Sequence, residues 1–126
     1  MCQVIEVKPE HLEEYKKIHE EVWPSVLNAL RRAHIFDYSI NLIKLPLSRG
    51  GSSASETLLL IAHMRYTGGD AEDLKRDMAK IAEDPETQRW WKVTDHMQSS
   101  FIPGAVGSAS GPGWWMSGEE VFRMEG

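Results

Sequence analysis

The sequence predicts a single α+β domain in which helices cover one face of a four-stranded antiparallel sheet. Its length of 126 residues suits one hydrophobic core, and no shift in composition marks off a second unit. Segments with helical periodicity lie on either side of two adjacent segments with strand-like composition. The resulting order, β-α-β-β-α-α-β, is a split βαβ arrangement.

The first strand is predicted at residues 3–7 and the first helix at residues 9–32. Pro9 and Glu10 favour a helix start, because proline fits the first turn and a carboxylate suits the positive end of the helix dipole. Pro24 lies inside the predicted helix, where its ring disturbs the helical backbone. We therefore expect the helix to be kinked or restarted at Pro24.

Residues 37–45 and 57–66 predict two strands of a hairpin, joined by the polar residues 48–56. In the first strand, Tyr38 shares a face with Ile40 and Leu42. The second strand is apolar on both faces, so the sheet face without helices also needs cover. Packing of a second copy through this face is the simplest cover, and it predicts a homodimer with an α/β barrel.

Two more helices are predicted in the carboxy-terminal half. Asp70 is a suitable cap for the first of them. The buried stripe of this helix is predicted to contain Leu74, Met78 and Ile81. Asp84 followed by Pro85 predicts the start of the next helix, which carries Trp90 and Trp91.

The carboxy-terminal part of the chain combines a loop with a final strand. Residues 103–113 lack both periodicity and bulky side chains, which is typical of a loop. Trp114 and Trp115 follow at its far end. Residues 119–124 predict the last strand of the sheet.

Charge and composition exclude several classes of function. The formal net charge of -5 at pH 7, with acidic and basic residues interleaved, argues against nucleic acid or an anionic membrane as the partner. The chain contains no apolar run of membrane-spanning length, and we expect a cytoplasmic protein. Cys2 is the only cysteine, and no histidine spacing typical of a metal site is present, so we expect neither a metal nor a disulfide.

Aromatic side chains give the best clue to function. Tyr15, His19 and Trp23 are four residues apart, so a helix would align their rings along one stripe. Charged residues occupy the other side of this helix, so the stripe faces the protein body. Tyr38 and the pair Trp90–Trp91 add enough rings for a pocket around an uncharged ligand, such as a sugar. Trp23 itself is interpreted as structural packing.

Four segments of the chain resemble the L-rhamnose mutarotase family. They are EEYKKIHEEVWPSV at residues 13–26, DYSINL at 37–42, QRWWKVTDHM at 88–97 and EEVFRM at 119–124. The resemblance covers most of the chain. It implies the ferredoxin-like fold of the family and its dimeric α/β barrel, in agreement with the order of elements predicted above.

The resemblance also implies the functional residues. The proton donor of the family corresponds to His19, and its sugar-binding positions correspond to Tyr15, Tyr38, Trp90 and Trp91. The implied reaction is the interconversion of the α and β anomers of L-rhamnose or a related aldose, without a cofactor. Such a reaction needs two proton carriers, for which a histidine of near-neutral pKa and a tyrosine are suitable. We therefore predict His19 and Tyr15 as catalytic residues.

Residues 103–115 look like an insertion relative to the family, and the loop at residues 48–56 is longer than expected. If the insertion covers the pocket, Trp114 or Trp115 could form an additional sugar platform. Two other functions stay open. One is a cyclase or lyase of the same barrel type, acting with a histidine and a tyrosine on an apolar, polyketide-like molecule. The other is a dimeric binding protein without catalysis.

Overall fold

The computed structural model describes residues 1–46, 56–108 and 113–125. The elements in chain order are β1 (Cys2–Val7), a 3-10 turn (Pro9–His11), α1 (Leu12–Glu20), α2 (Pro24–Arg32), β2 (Ile35–Pro46), β3 (Glu56–Tyr66), α3 (Ala71–Glu83), α4 (Pro85–His96), β4 (Gln98–Ser99) and β5 (Met116–Ser117). This α+β composition confirms the predicted fold class. The predicted loop at residues 48–56 lies outside the described residues, apart from Glu56, which begins β3.

The sheet is antiparallel throughout, with the strand order β2-β3-β1-β4, and β5 also pairs with β1. Leu60 of β3 is aligned with Ile5 of β1 on one side and with Leu42 of β2 on the other. These three side chains therefore lie in one row on one face. Ile5 and Leu60 belong to the hydrophobic core, and Leu42 packs against it. The core thus lies between this face and the helices.

The predicted interruption of the first helix is confirmed. Residues 9–32 form a 3-10 turn and two separate helices, and α1 ends at Glu20. Trp23 has an extended backbone with φ of −55° and ψ of 130°, and Pro24 opens α2. The proline ring sterically disfavours the helical region for the residue before it, which explains the break. Trp23 therefore lies between two helices and does not continue the stripe of α1.

Both predicted helix caps in the carboxy-terminal half are confirmed. The Asp70 side chain accepts a hydrogen bond from the backbone N–H of Asp73 in a capping box, and Asp84 caps α4 through the N–H of Thr87. In the predicted stripe of α3, Ile81 is buried and Leu74 is half-buried, but Met78 is 37 % exposed. Burial of Met78 was therefore a wrong prediction. Within the described ranges, no helix combines the length and apolarity needed to cross a membrane.

The predicted strand at residues 119–124 is wrong. Val121, Phe122 and Met124 are 93 %, 83 % and 80 % exposed, and this segment forms no strand. The edge of β1 opposite β3 is already occupied by β4 and β5, two short strands of two residues each. A strand needs a free edge on which to pair. The segment therefore has a strand-like sequence but pairs with no strand among the described residues.

Candidate active site

A cavity of about 610 Å³ lies between the sheet and the helices. Its wall includes one ionisable side chain of α1, one phenol of β2, and two pairs of indoles from α4 and the following loop. These residues are His19, Tyr38, Trp90, Trp91, Trp114 and Trp115. The rest of the wall is largely aliphatic. Such a combination of apolar surface with a few polar groups is typical of a small-molecule site.

His19 occupies the last turn of α1, and its ring has a defined tautomer. Its Nδ1 lies 2.8 Å from the backbone carbonyl oxygen of Tyr15. A carbonyl can only accept, so Nδ1 must carry a hydrogen and donate it. In the neutral ring, Nε2 then has the lone pair. Burial lowers the pKa of His19, because the charged form loses hydration. His19 is therefore neutral at pH 7 and able to accept a proton at Nε2.

Aromatic rings hold His19 from two sides. The Tyr15 ring stacks on the imidazole, with the ring centroids 4.2 Å apart. Trp90 and the imidazole form a T-shaped contact at a centroid distance of 5.3 Å, and Trp23 packs in the same T-shaped manner against Trp90 at 5.2 Å. Both geometries are favourable for aromatic pairs. Trp23 is thus connected to His19 and Tyr15 through its contact with Trp90.

Tyr15 is only 4 % exposed and lies behind His19, outside the described cavity wall. Its hydroxyl oxygen accepts a hydrogen bond from Nε2 of Gln98 at 3.2 Å. Burial raises the pKa of Tyr15, and the Tyr38 phenol nearby adds to this effect. The phenol is therefore protonated at neutral pH. The structure brings Tyr15 to His19 as predicted, but it does not place Tyr15 at the cavity surface.

A β-bulge directs Tyr38 into the cavity. The pairing of β2 with β3 shifts register between Phe36 and Ser39, and Asp37 inside the bulge has a φ of 51°. A regular strand would place Ile35 and Tyr38 on opposite faces, yet both line the cavity. Although Tyr38 is 39 % exposed, burial of its hydroxyl end raises its pKa to about 12. It is thus a neutral hydrogen-bonding group inside the cavity.

The two consecutive indoles of α4 both contribute to the cavity wall. Trp90 is 7 % exposed and packs between His19 and Trp23. Trp91 is half-buried and packs against the core cluster that includes Ile35 and Ile81. Trp90 is therefore mainly a packing residue that borders the cavity, whereas Trp91 has more surface left for a ligand.

The loop that follows β4 also reaches the cavity. Trp114 and Trp115 are half-buried and line it, together with Ser108 and Gly113. The indole Nε1 of Trp114 donates to Oε1 of Gln98 at 2.9 Å, and its carbonyl accepts from the hydroxyl of Ser100. Sequence reasoning missed Gln98, because a single glutamine after a helix carries no signal of its own. Only the fold brings Trp114 and Tyr15 to its two ends.

Histidine, cysteine and carboxylate side chains are the usual protein ligands of metal ions. In the part of the chain that the structure describes, no three of them are grouped so that they could hold a metal ion. The five histidines of the sequence include His11 and His96, whose rings pack on each other at a centroid distance of 4.8 Å.

Several known proteins are similar to this chain in sequence, in structure or in both. A family model described as L-rhamnose mutarotase matches residues 1–50 and 51–124. The chain is 33 % identical over 90 residues to the L-rhamnose mutarotase of Mesorhizobium japonicum, covering 69 % of this chain and 67 % of that protein. It is 33 % identical over 107 residues to that of Acidiphilium cryptum, covering 84 % and 85 %. The crystal structure of L-rhamnose mutarotase from Formosa agariphila matches with a TM-score of 0.58 at 18 % identity, over 98 % of this chain and 96 % of that one.

Proposed function

Because the chain belongs to the L-rhamnose mutarotase family, whose members are isomerases, we propose that it interconverts the α and β anomers of L-rhamnose by general acid–base catalysis without a cofactor. The observation that carries this proposal is the place of His19 in the cavity wall, with its Nδ1 2.8 Å from the carbonyl oxygen of Tyr15, a contact that leaves the lone pair of the neutral ring on Nε2. The alternative of a cyclase or lyase for an apolar molecule is not favoured, since the family model and the relatives are sugar mutarotases.

The reaction needs two coordinated proton transfers. A base removes the proton of the anomeric hydroxyl, the bond between C1 and the ring oxygen breaks, and the ring oxygen takes up a proton. This gives the open aldehyde, which closes on its other face by the reverse steps. His19 accepts and returns one proton at Nε2. Tyr38, which is neutral and lines the cavity, is proposed to donate to the second oxygen, and Tyr15 stacks on His19 from behind.

The indoles are proposed to recognise the apolar surface of the sugar. L-Rhamnose carries a methyl group and several C–H groups on its ring, which pack favourably against an aromatic face. Trp91 is better placed for this contact than Trp90. Most of the Trp90 surface is buried, and its ring already packs against His19 and Trp23. Hydroxyl groups of the sugar would be bound by Tyr38 and His19 at the same wall.

Saturation-transfer NMR on L-rhamnose at anomeric equilibrium tests the proposed function. Irradiation of the α anomeric proton should reduce the β signal in proportion to the exchange rate. Catalytic amounts of the protein are expected to accelerate this exchange above that in buffer. If the protein accelerates the anomer exchange of another aldose, such as L-fucose, but not that of L-rhamnose, the proposed reaction stands and the proposed substrate is wrong. No acceleration of any aldose would remove mutarotase chemistry from consideration.

The pH dependence of the exchange follows from the depressed pKa of His19. Protonation of the imidazole removes the lone pair at Nε2, so activity must fall as the pH is lowered through this pKa. Because burial holds the pKa below its usual value of 6.5, kcat/KM should stay level from about pH 9 to about pH 6.5 and decline only below it. Exchange rates measured across this range check the prediction. A decline as the pH rises above neutrality would instead mean that the imidazolium is the required form.

We further propose that the chain has a ferredoxin-like fold and that two copies pair to form a dimeric α/β barrel. The strand order β2-β3-β1-β4 agrees with that topology. The sheet face away from the helices carries two apolar cross-strand pairs, Val4 with Ile61 and Ile43 with Leu59. An apolar patch that continues across several strands marks an interaction surface. A second copy of the chain, with its own apolar face and exposed segment at residues 119–125, is the proposed partner.

Sedimentation equilibrium tests the dimer. The protein is expected to sediment at about twice its mass of 14.3 kDa, and Phe122→Lys or Ile61→Lys should shift it towards the monomer, because each places a charge on an apolar contact surface. Val106→Lys is the matched control, since Val106 is also apolar and 69 % exposed but lies in the loop after β4. A wild-type protein that stays monomeric at high concentration would contradict the proposed dimer.

A further inference from the structure

A chain of three side chains connects the loop after β4 with the candidate active site. Trp114 donates from Nε1 to Oε1 of Gln98 at 2.9 Å, and Nε2 of Gln98 lies 3.2 Å from the hydroxyl of Tyr15. Gln98 is 3 % exposed and Tyr15 is 4 % exposed. The bond between Gln98 and Tyr15 is therefore shielded from water, where its direction matters most, and the bond from Trp114 is partly shielded.

The indole fixes the orientation of the Gln98 amide. An indole N–H is a donor only, so the atom facing Trp114 must be the amide oxygen. The amide NH₂ group then faces Tyr15, and it too can only donate. The hydroxyl of Tyr15 consequently accepts this bond, and its own hydrogen is left for a second acceptor. This direction follows from the donor types alone.

The direction in which the Tyr15 hydroxyl donates its hydrogen matters for the candidate site. The Tyr15 ring stacks on His19, and its backbone carbonyl holds Nδ1 of the same histidine. Tyr38 lies near enough to raise the pKa of Tyr15, and it lines the cavity. If the Tyr15 hydroxyl donates towards Tyr38, it orients the lone pairs and the hydrogen of Tyr38, the proposed second proton carrier. If the Tyr15 hydroxyl donated to Gln98, Tyr38 would not be oriented in this way.

We propose that Gln98, oriented by Trp114, is a positioning residue that makes Tyr15 a hydrogen-bond donor towards the reaction centre. This role rests on the proposed mutarotase function. It assigns to the loop after β4 a part in catalysis, because this loop supplies the indole that fixes the amide. Gln98 touches no substrate in this arrangement and acts through Tyr15.

The substitution Gln98→Glu tests the direction of the bond. The new carboxylate still accepts from Trp114, but at neutral pH it can no longer donate to Tyr15 and instead attracts the Tyr15 hydrogen. We expect kcat for anomer exchange to fall by about tenfold at pH 7.5 with KM nearly unchanged, as for the loss of one well-placed hydrogen bond. As the pH falls, the carboxyl group becomes protonated and can donate again. The ratio of variant to wild-type kcat should therefore rise with falling pH.

Trp114→Phe tests the other end of the chain. Without the indole N–H, the amide of Gln98 is free to turn over, so kcat should again fall. The double variant with Gln98→Glu should lose less than the product of the two single effects, because both act through Tyr15. Gln88→Glu is the control, since Gln88 is exposed on α4 and its side-chain amide donates to the carbonyl of Ala82. Thermal melts of every variant exclude unfolding as the cause.

The indole N–H signal of Trp114 gives a readout that does not depend on activity. Its hydrogen exchange should be slow in the wild type and in Gln98→Glu, and fast in Gln98→Leu, where no acceptor is left. Equal exchange in all three proteins would overturn the chain itself. A folded Gln98→Glu variant with wild-type kcat, or with a pH-independent ratio, would overturn the positioning role. A wild type inactive on every aldose would overturn the proposed function and this role with it, whatever the indole signal shows.

Discussion

Replacement of His19 by alanine is expected to lower the catalysed exchange of α and β L-rhamnose by at least about a hundredfold, the usual contribution of a placed general acid–base residue. His19 is an ionisable side chain in the described cavity wall, and its Nδ1 bond to the Tyr15 carbonyl leaves Nε2 as the proton acceptor. Sugar binding should weaken much less than turnover, because the indoles remain. The measurement is saturation transfer between the anomeric signals at several sugar concentrations.

Chemical rescue by added imidazole is a second test of the role of His19. The alanine variant leaves a space between Tyr15 and Trp90 that an imidazole molecule fits, so free imidazole should restore part of the exchange. His11→Ala is the matched control, since His11 lies at the start of α1 and pairs with Glu14 at 3.5 Å, away from the cavity. Unchanged turnover in a folded His19→Ala variant would remove His19 from the mechanism.

The sequence predicts the helical part of the fold well because local signals determine it. Asp70 and Asp84 cap helices where they were expected, and Pro24 separates two helices. Each of these signals acts within one turn of backbone. The alignment of Tyr15, His19 and Trp23 along one helix was only partly right, because α1 ends at Glu20. The rings still meet, through the contact between Trp23 and Trp90.

Strand pairing is less visible in a sequence, because it depends on distant partners. Residues 119–124 have a strand-like composition, yet the edge they would need is taken by β4 and β5. Two strands of two residues each carry no alternation that could predict them. The bulge before Tyr38 was equally hidden, although it decides which face this ring occupies. Helix signals are local, whereas these features are set by the whole sheet.

The candidate site was likewise only partly predictable from the sequence. His19, Tyr38, Trp90 and Trp91 were predicted as site residues, and the structure gathers all four around one cavity. Their roles stay predictions until activity is measured. Tyr15 was predicted at the cavity surface but is buried behind His19, because the inward face of α1 packs directly on the core. The link between Gln98 and Trp114 spans sixteen residues, so only the folded chain could reveal it.

Replacement of Trp90 by alanine is expected to lower the free energy of unfolding by about 3–5 kcal/mol, the usual cost of truncating a buried aromatic side chain. Trp90 is 7 % exposed and contributes edge-to-face contacts to both His19 and Trp23. Each such pair adds a further stabilisation of about 1 kcal/mol beyond the buried area. Urea unfolding, followed by circular dichroism at one fixed protein concentration, measures the change. The fixed concentration matters because dimerisation would couple unfolding to dissociation.

Trp91→Ala is the matched comparison, because it removes the neighbouring indole from the same helix and the same cavity wall. Trp91 is half-buried, so its loss should cost less than half as much free energy of unfolding and should act mainly on KM for the sugar. Trp90→Phe should recover most of the stability lost in Trp90→Ala, since a smaller ring keeps part of both contacts. Equal destabilisation by Trp90→Ala and Trp91→Ala would contradict the division of roles. Trp91 would then contribute as much to packing as Trp90, and its proposed role as the surface that receives the sugar would fall.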